Sequence, residues 1–295
     1  MKKCSAFMVI TAGILWGSMG IFVRWFDGIG FSSVQTATMR IVTCAVSLFI
    51  ISYVTCGKEV FRIDLRDTGW FLLSGVVSVF GMSWLYFEAI NRSSMCMSAI
   101  LLYTAPFIVT VLSCIFFKEK FTIKKLVALV IAFTGCVFVT GTDGNVTVAG
   151  VLFGLASGLA YALYSVFAKI LMKKYAPMTV TVYSFGFAAV VYLFAGNIPD
   201  MANIISDSGV PFLTLVIALA MGLVTATAPF LLYTFGLKGM DAGKASIMAY
   251  TEPLVAAVCG YLVFGEFSGG IAVVGIAFIT FAVLLINNFG RNQNE

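Results

Sequence analysis

The sequence predicts an all-α membrane protein of ten transmembrane helices, built as two five-helix repeats. Three observations carry that reading. Of the 295 residues, 61% are hydrophobic and 11% charged, whereas a soluble domain is about half apolar and a quarter charged. The apolar residues fall into ten long runs, each close to the roughly 20 residues that a bilayer core requires. The second half of the chain repeats motifs of the first.

The runs follow one another with short connections. The first, 5–26, comes after Lys2 and Lys3, as a signal peptide would. It is too long for one, no small-x-small cleavage site follows, and Arg24 and Trp25 end it as interfacial anchors. It is therefore read as a retained span. The second, 33–55, has Arg40 as its single charge, and the third is 68–90. The fourth, 95–117, contains Pro106, and the fifth is 123–141. The sixth, 148–171, opens with Gly150, Gly154 and Gly158, and the seventh is 178–196. The eighth, 211–235, contains Pro229, the ninth, 244–264, contains Glu252-Pro253, and the tenth is 270–288. The longest connection, 197–210, is too short to fold as a soluble domain.

Charge fixes an expected orientation. With the N-terminus in the cytoplasm, the inner segments hold Lys2, Lys3, Lys58, Arg62, Arg66, Lys118 to Lys125, Lys169, Lys173, Lys174, Lys238, Lys244 and Arg291. Outside are only Arg24 and Arg92, with Arg40 inside a span. Such a bias places both termini in the cytoplasm and supports an even span count. It also accounts for the net charge of +5 without a nucleic-acid partner.

Composition excludes whole classes of chemistry. The absence of histidine removes His-based acid–base and nucleophilic catalysis and His metal ligation. The seven cysteines contain no Cys-x-x-Cys pair and read as packing residues. There is no phosphate-cradling loop for direct ATP use and no acidic cluster for a metal. No cofactor is expected.

The repeat divides the chain into 1–145 and 146–295. Tyr103-Thr104-Ala105-Pro106 recurs 147 residues later as Tyr250-Thr251-Glu252-Pro253. At the same offset Tyr86 matches Tyr233, Ile100 matches Ile247, and Phe117-Lys118-Glu119 matches Phe264-Gly265-Glu266. Trp16 to Arg24 aligns with Tyr161 to Lys169. Five spans per repeat is an odd number, so the second copy is expected to enter the membrane from the opposite side. Inverted-topology repeats are common in secondary transporters, where the halves rock about a central site.

With these motifs the chain resembles the drug/metabolite transporter superfamily, specifically its ten-helix EamA-type members, over essentially its whole length. The resemblance rests on Leu15-Trp16-Gly17-Ser18, on Met39-Arg40-Ile41, on the segment from Ser98 to Phe121 with Pro106 and Glu119, and on its second copy from Ser246 to Glu266. It implies an exporter of amino acids or related small metabolites with a central cavity between the halves. The first span carries no acidic residue, unlike the small four-helix multidrug relatives, whose coupling glutamate lies there.

Candidate site residues follow from depth and polarity. Arg40 and Glu252 each lie about eight residues into their spans, roughly 12 Å deep and near the midplane. A charge there costs on the order of 2.5–3.5 kcal/mol, so it pairs or lines a wet cavity. Glu252 suits an ammonium group or a coupling proton, and Arg40 suits a carboxylate; the competing reading is an interhelical pair that fixes packing. Pro106, Pro253 and Pro229 remove backbone donors mid-span and are expected to kink their helices as hinges, or else simply to bend them to fit. Tyr103, Thr104, Tyr250, Thr251, Tyr86, Tyr233, Tyr161, Tyr164, Trp16 and Trp84 offer aromatic faces with polar handles for an amphiphilic ligand, or are packing residues. Glu88 and Arg92 read as an i,i+4 pair. Glu119 and Glu266 read as helix caps or gates, and Lys169 as snorkelling to the interface. The glycine stripes at Gly13/Gly17 and Gly150/Gly154/Gly158 read as close helix contacts or a sliding interface.

The expected function is a secondary transporter in the cell membrane, exporting amino acids or similar small amphiphilic metabolites by alternating access. Its expected partners are a small-molecule substrate and the lipid bilayer. The alternatives are an exchanger of sugar phosphates or nucleotide-linked sugars, a drug efflux carrier, and an intramembrane enzyme.

Overall fold

A computed structural model describes residues 2–141, 147–265 and 269–289. Within them the chain is helical throughout. Ten helices are long and apolar enough to cross a membrane: α1 (Cys4–Gly28), α2 (Ser33–Phe61), α3 (Leu65–Arg92), α4 (Met95–Phe117), α5 (Ile123–Thr140), α6 (Val148–Leu171), α7 (Pro177–Ala195), α8 (Pro211–Lys238), α9 (Ala242–Phe264) and α10 (Gly269–Asn287). Each coincides with an expected span, with ends a few residues longer or shorter. Hydroxyls start several of them. Ser32 forms a capping box with Gln35, and Ser94, Thr122 and Thr147 each accept a backbone N–H of the first turn.

The connection 197–210 is not bare loop. Ile198–Asp207 forms a short helix whose Met201 is buried with Phe26 and Phe31. Asp200 in its first turn accepts a hydrogen bond from Gln35 Nε2 (2.6 Å). Its apolar positions are too few and too interleaved with Asp and Asn to register as a span.

The two repeats are interdigitated. Helix α1 packs on α8 and α9, while α6 packs on α3 and α4. Helix α2 packs on α7, and α5 on α10. Repeat-equivalent glycines make equivalent contacts. A β-carbon at Gly13 would strike the Thr251 side chain, and one at Gly158 would strike that of Thr104. Gly75 in α3 lies against the Ser184 carbonyl of α7, and Gly222, its counterpart in α8, lies against Thr43 and the Arg40 carbonyl of α2. The small-residue stripes are therefore where the two halves touch most closely, as expected for packing without a hydrophobic drive between helices.

Five spans are irregular, four of them in matching pairs. Helix α4 breaks between Met95–Leu102 and Ala105–Phe117, and α9 breaks between Ala242–Met248 and Thr251–Phe264. Pro106 and Pro253 were expected to kink continuous helices. Instead each sits in the first turn of a second half-helix, where its missing N–H costs nothing. Helices α3 and α8 carry π-helical segments at Leu73–Phe80 and Leu223–Thr227, which overlap at the repeat offset. Helix α1 is interrupted at Ser18, whose hydroxyl donates to the Leu15 carbonyl (2.7 Å). Its counterpart α6 is continuous.

Pro229 follows directly on the second π segment. In a regular α-helix the N–H of residue 229 would serve the Thr225 carbonyl, and proline has none. Arg40 supplies the donor: its Nη2 donates to that carbonyl (2.6 Å) and its Nε to Thr225 Oγ1 (3.1 Å). Replacing Arg40 with leucine leaves a buried carbonyl unserved, which costs about 1–3 kcal/mol. The expected outcome is a lower thermal midpoint for Arg40→Leu in detergent; an unchanged midpoint would show that the bond does not hold α8 in shape.

A polar tie joins the connections at the lysine-rich end. Lys174 Nζ donates to Asp64 (3.2 Å) and Asp67 (2.6 Å), and Tyr175 Oη donates to Asp67 (2.5 Å). The Arg66 backbone N–H and then Lys174 hold the Asp64 carboxyl below the usual carboxylate range. A carboxyl with a lowered folded value adds stability above its ordinary pKa and loses it as pH falls through the folded value. Asp64→Asn should therefore melt earlier than wild type near about pH 7, with the gap closing toward about pH 3. A gap that widens on acidification would contradict the tie.

Candidate functional site

The expected site residues separate into two groups by what their polar atoms touch. The first group is packed. Trp16 is buried, with its ring 5.0 Å from Phe230 and 5.5 Å from Tyr233, although its indole N–H has no partner among the described residues. Tyr164 stacks edge-on against Phe230 at 5.3 Å, and its hydroxyl meets Thr234 Oγ1 (2.9 Å). Tyr233 exchanges a hydrogen bond with Ser165 (2.7 Å). These rings form an aromatic core between α1, α6 and α8, with hydroxyls already spent on neighbours. Thr104 donates to the Leu101 carbonyl (2.6 Å), and Thr251 donates to Met248 (3.1 Å). Both threonines close the turn at a helix break. Tyr250 is buried, and its hydroxyl donates to the Tyr103 carbonyl (2.6 Å). That bond ties the break in α4 to the break in α9. Trp84 is 48% exposed and shares an outward face with Val77, two turns earlier.

The second group is open. Glu252, Tyr86, Tyr103 and Tyr161 are only partly buried. Glu252 sits in the first turn of the second half of α9. Tyr86 comes from α3, Tyr103 from the break in α4, and Tyr161 from α6. All three phenols, and the Arg40 guanidinium, lie within electrostatic range of the Glu252 carboxylate. No hydrogen bond or ion pair to another described residue uses that carboxylate or those three hydroxyls. The geometry thus brings one carboxylate and three unspent phenols, from four spans and both repeats, to one place. Such a set accepts a cationic or hydrogen-bonding ligand with an apolar body.

Arg40 borders this group. Two of its guanidinium nitrogens are held by Thr225, and no ion pair with Glu252 forms among the described residues. Beside it, Ser78, Met82, Ser83 and Tyr161 line a space of about 10 Å3, about the room of one water. The buried Ser78 hydroxyl has no partner. Sequence reasoning missed Ser78 and Ser83, because the π segment that carries Ser78 and ends just before Ser83 has no residue signature.

A second charged cluster lies at the lysine-rich end. Glu119 Oε1 accepts from Lys169 Nζ (2.5 Å) and from the Ala242 backbone N–H (2.9 Å). Lys125 Nζ stands 3.8 Å from Glu119 and 3.2 Å from Asp241. Lys169 was expected to snorkel to the interface. At that end of the bundle it pairs with Glu119, which is buried and whose charge requires a partner. The expected equivalent, Glu266, lies outside the described residues, as does Arg291. Glu88 and Arg92 form the expected i,i+4 ion pair.

Comparison with known proteins agrees with this architecture. A model of the EamA-like transporter family matches residues 4–141 and again 148–288, one copy for each repeat. An uncharacterized transporter of Archaeoglobus fulgidus is 28% identical over 281 residues, covering 94% of both chains. The uncharacterized transporter YwfM of Bacillus subtilis is 27% identical, over 71% of this chain and 70% of its own. The uncharacterized inner membrane transporter YicL of Salmonella typhimurium is 24% identical, over 87% and 86%. A crystal structure with 16% identity superposes with a TM-score of 0.79, over 97% of this chain and 98% of that one, which shows a shared fold. With both halves matched and ten apolar helices in place, the chain belongs to the EamA-like transporter family.

Proposed function

We infer that this membrane transporter is an exporter of amino acids or similar small amphiphilic metabolites, working by alternating access about Glu252. The observation that carries the reading is the Glu252 carboxylate, without a hydrogen bond or ion pair to another described residue and within electrostatic range of Tyr86, Tyr103 and Tyr161. A deep charge without a protein partner is expensive and is kept where a ligand or proton completes it. An ammonium group satisfies the carboxylate, while the phenol rings take an apolar body. The paired helix breaks support a site at this level, since discontinuous helices in both halves mark binding sites in repeat transporters.

The repeats are read as inverted in the membrane, because each contributes five spans. Both termini are read as cytoplasmic, from the Lys and Arg bias, and the membrane as the cell membrane. The name of the Salmonella relative, an inner membrane transporter, supports that location. Exchange of sugar phosphates or nucleotide-linked sugars is the weaker reading. It calls for several deep cations, whereas Arg40 is engaged by Thr225.

Counterflow in proteoliposomes tests the proposal. Vesicles loaded with neutral and aromatic amino acids are expected to take up a labelled subset in saturable fashion. Glu252→Gln keeps the size of the side chain and removes its charge. Loss of one contact to a charged group predicts about a tenfold fall in apparent affinity or rate. Folded Glu252→Gln protein that exchanges substrate as wild type does would remove Glu252 from the site. Folded wild type with no saturable uptake would remove this substrate class.

A further inference from the structure

The lysine-rich end of the bundle holds a second concavity, far larger than the space beside Arg40. It has a volume of about 500 Å3, within the range of small-ligand sites. Its walls come from the ends of α4, α6 and α8 and their connections. Four lysines line it, Lys118, Lys169, Lys173 and Lys238, together with Glu119 and Asp241.

The charges do not balance. Glu119 is taken by Lys169, by Lys125 and by the backbone N–H groups of Ala242 and Gly243. Asp241 pairs with Lys125. Among the described residues no carboxylate stands within ion-pair distance of Lys118, Lys173 or Lys238. Lys169 in the last turn of α6 and Lys173 just past its end are four residues apart, where like charges repel. Yet both ammonium groups gather over the Phe117 ring, at 5.2 Å and 5.7 Å from its centre. Lysines that serve only to orient a membrane protein need no concavity. Lys58, at the same end, stands exposed in a short helical turn away from this pocket.

We propose that this pocket binds the phosphate headgroup of an anionic phospholipid from the leaflet at the lysine-rich end. Lysine ammonium groups bind phosphate as point charges, and basic pockets between transmembrane helices suit anionic headgroups. The pocket is also amphiphilic. Phe117, Met172 and Leu237 form its apolar wall, and Phe116 at its edge is 56% exposed toward the surface where acyl chains would lie. A free phosphate would use the lysines and leave that apolar wall unmatched. The assignment does not rest on the transport reading and stands or falls separately from it.

Lipid titration of the purified full chain, read by native mass spectrometry, tests the assignment. Phosphatidylglycerol is the probe and phosphatidylcholine the reference. Wild type is expected to bind phosphatidylglycerol in preference. Lys173→Gln with Lys238→Gln should weaken that binding about thirtyfold, from about tenfold or less for each lysine removed. Lys173→Arg with Lys238→Arg should retain it. A control at the same end, Lys58→Gln with Arg62→Gln, removes equal charge outside the pocket and should change binding less than about threefold. Equal losses in the pocket and control variants, or none in the pocket variant, would overturn the site. Displacement of phosphatidylglycerol by millimolar inorganic phosphate, with equal protection against thermal unfolding, would overturn the lipid as occupant in favour of free phosphate.

Discussion

Inside a bilayer there is no water to serve a stray carbonyl or a lone charge, and the rest of this structure depends on that constraint. Every interruption of a helix must be served by another part of the bundle. Hydroxyls on the interrupted helices serve some carbonyls, as Ser18, Thr104 and Thr251 do, and the opposite repeat serves others. Tyr250, at the break in α9, donates to Tyr103 at the break in α4. Arg40, from the first repeat, donates to the Thr225 carbonyl beside Pro229 in the second. Breaks that would be defects in an isolated helix thus become joints between the halves.

The same constraint makes the exceptions informative. The hydroxyls of Tyr164, Tyr233 and Tyr250 are all committed to partners. Those of Tyr86, Tyr103 and Tyr161 are not, and neither is the Glu252 carboxylate within whose electrostatic range they lie. Polar groups left unserved at this depth carry a standing cost. One carboxylate and three phenols left open within electrostatic range of one another, from both repeats, are what make this place the candidate site. At the lysine-rich end the logic runs through charge. Glu119 is fully engaged across four spans, while the lysines around the adjoining pocket exceed the carboxylates available to them.

Close approach at glycine places these groups. Gly13 against Thr251 and Gly158 against Thr104 set α1 and α6 directly on the two broken helices. Larger side chains there would push the half-helices apart and separate the groups that the breaks bring together. Matching contacts from both repeats let one packing solution be used twice.

The sequence by itself determined the class, the ten spans and the repeat. Those depend on local hydropathy and on identity at a fixed offset, and neither needs the fold. It also pointed to the prolines, but as kinks, because a missing N–H is visible in a sequence and the position of a helix start is not. Only the tertiary structure decided which aromatics are open and which are spent. Tyr164 and Tyr233 look like Tyr86, Tyr103 and Tyr161 in a list of residues. They differ in whether Phe230, Thr234 or Ser165 comes to meet them. Lys169 pairing with Glu119 is the same case, since that pairing joins residues fifty positions apart. Partnership across spans depends on how the helices cross, and crossing is set by the whole packed bundle rather than by any one segment.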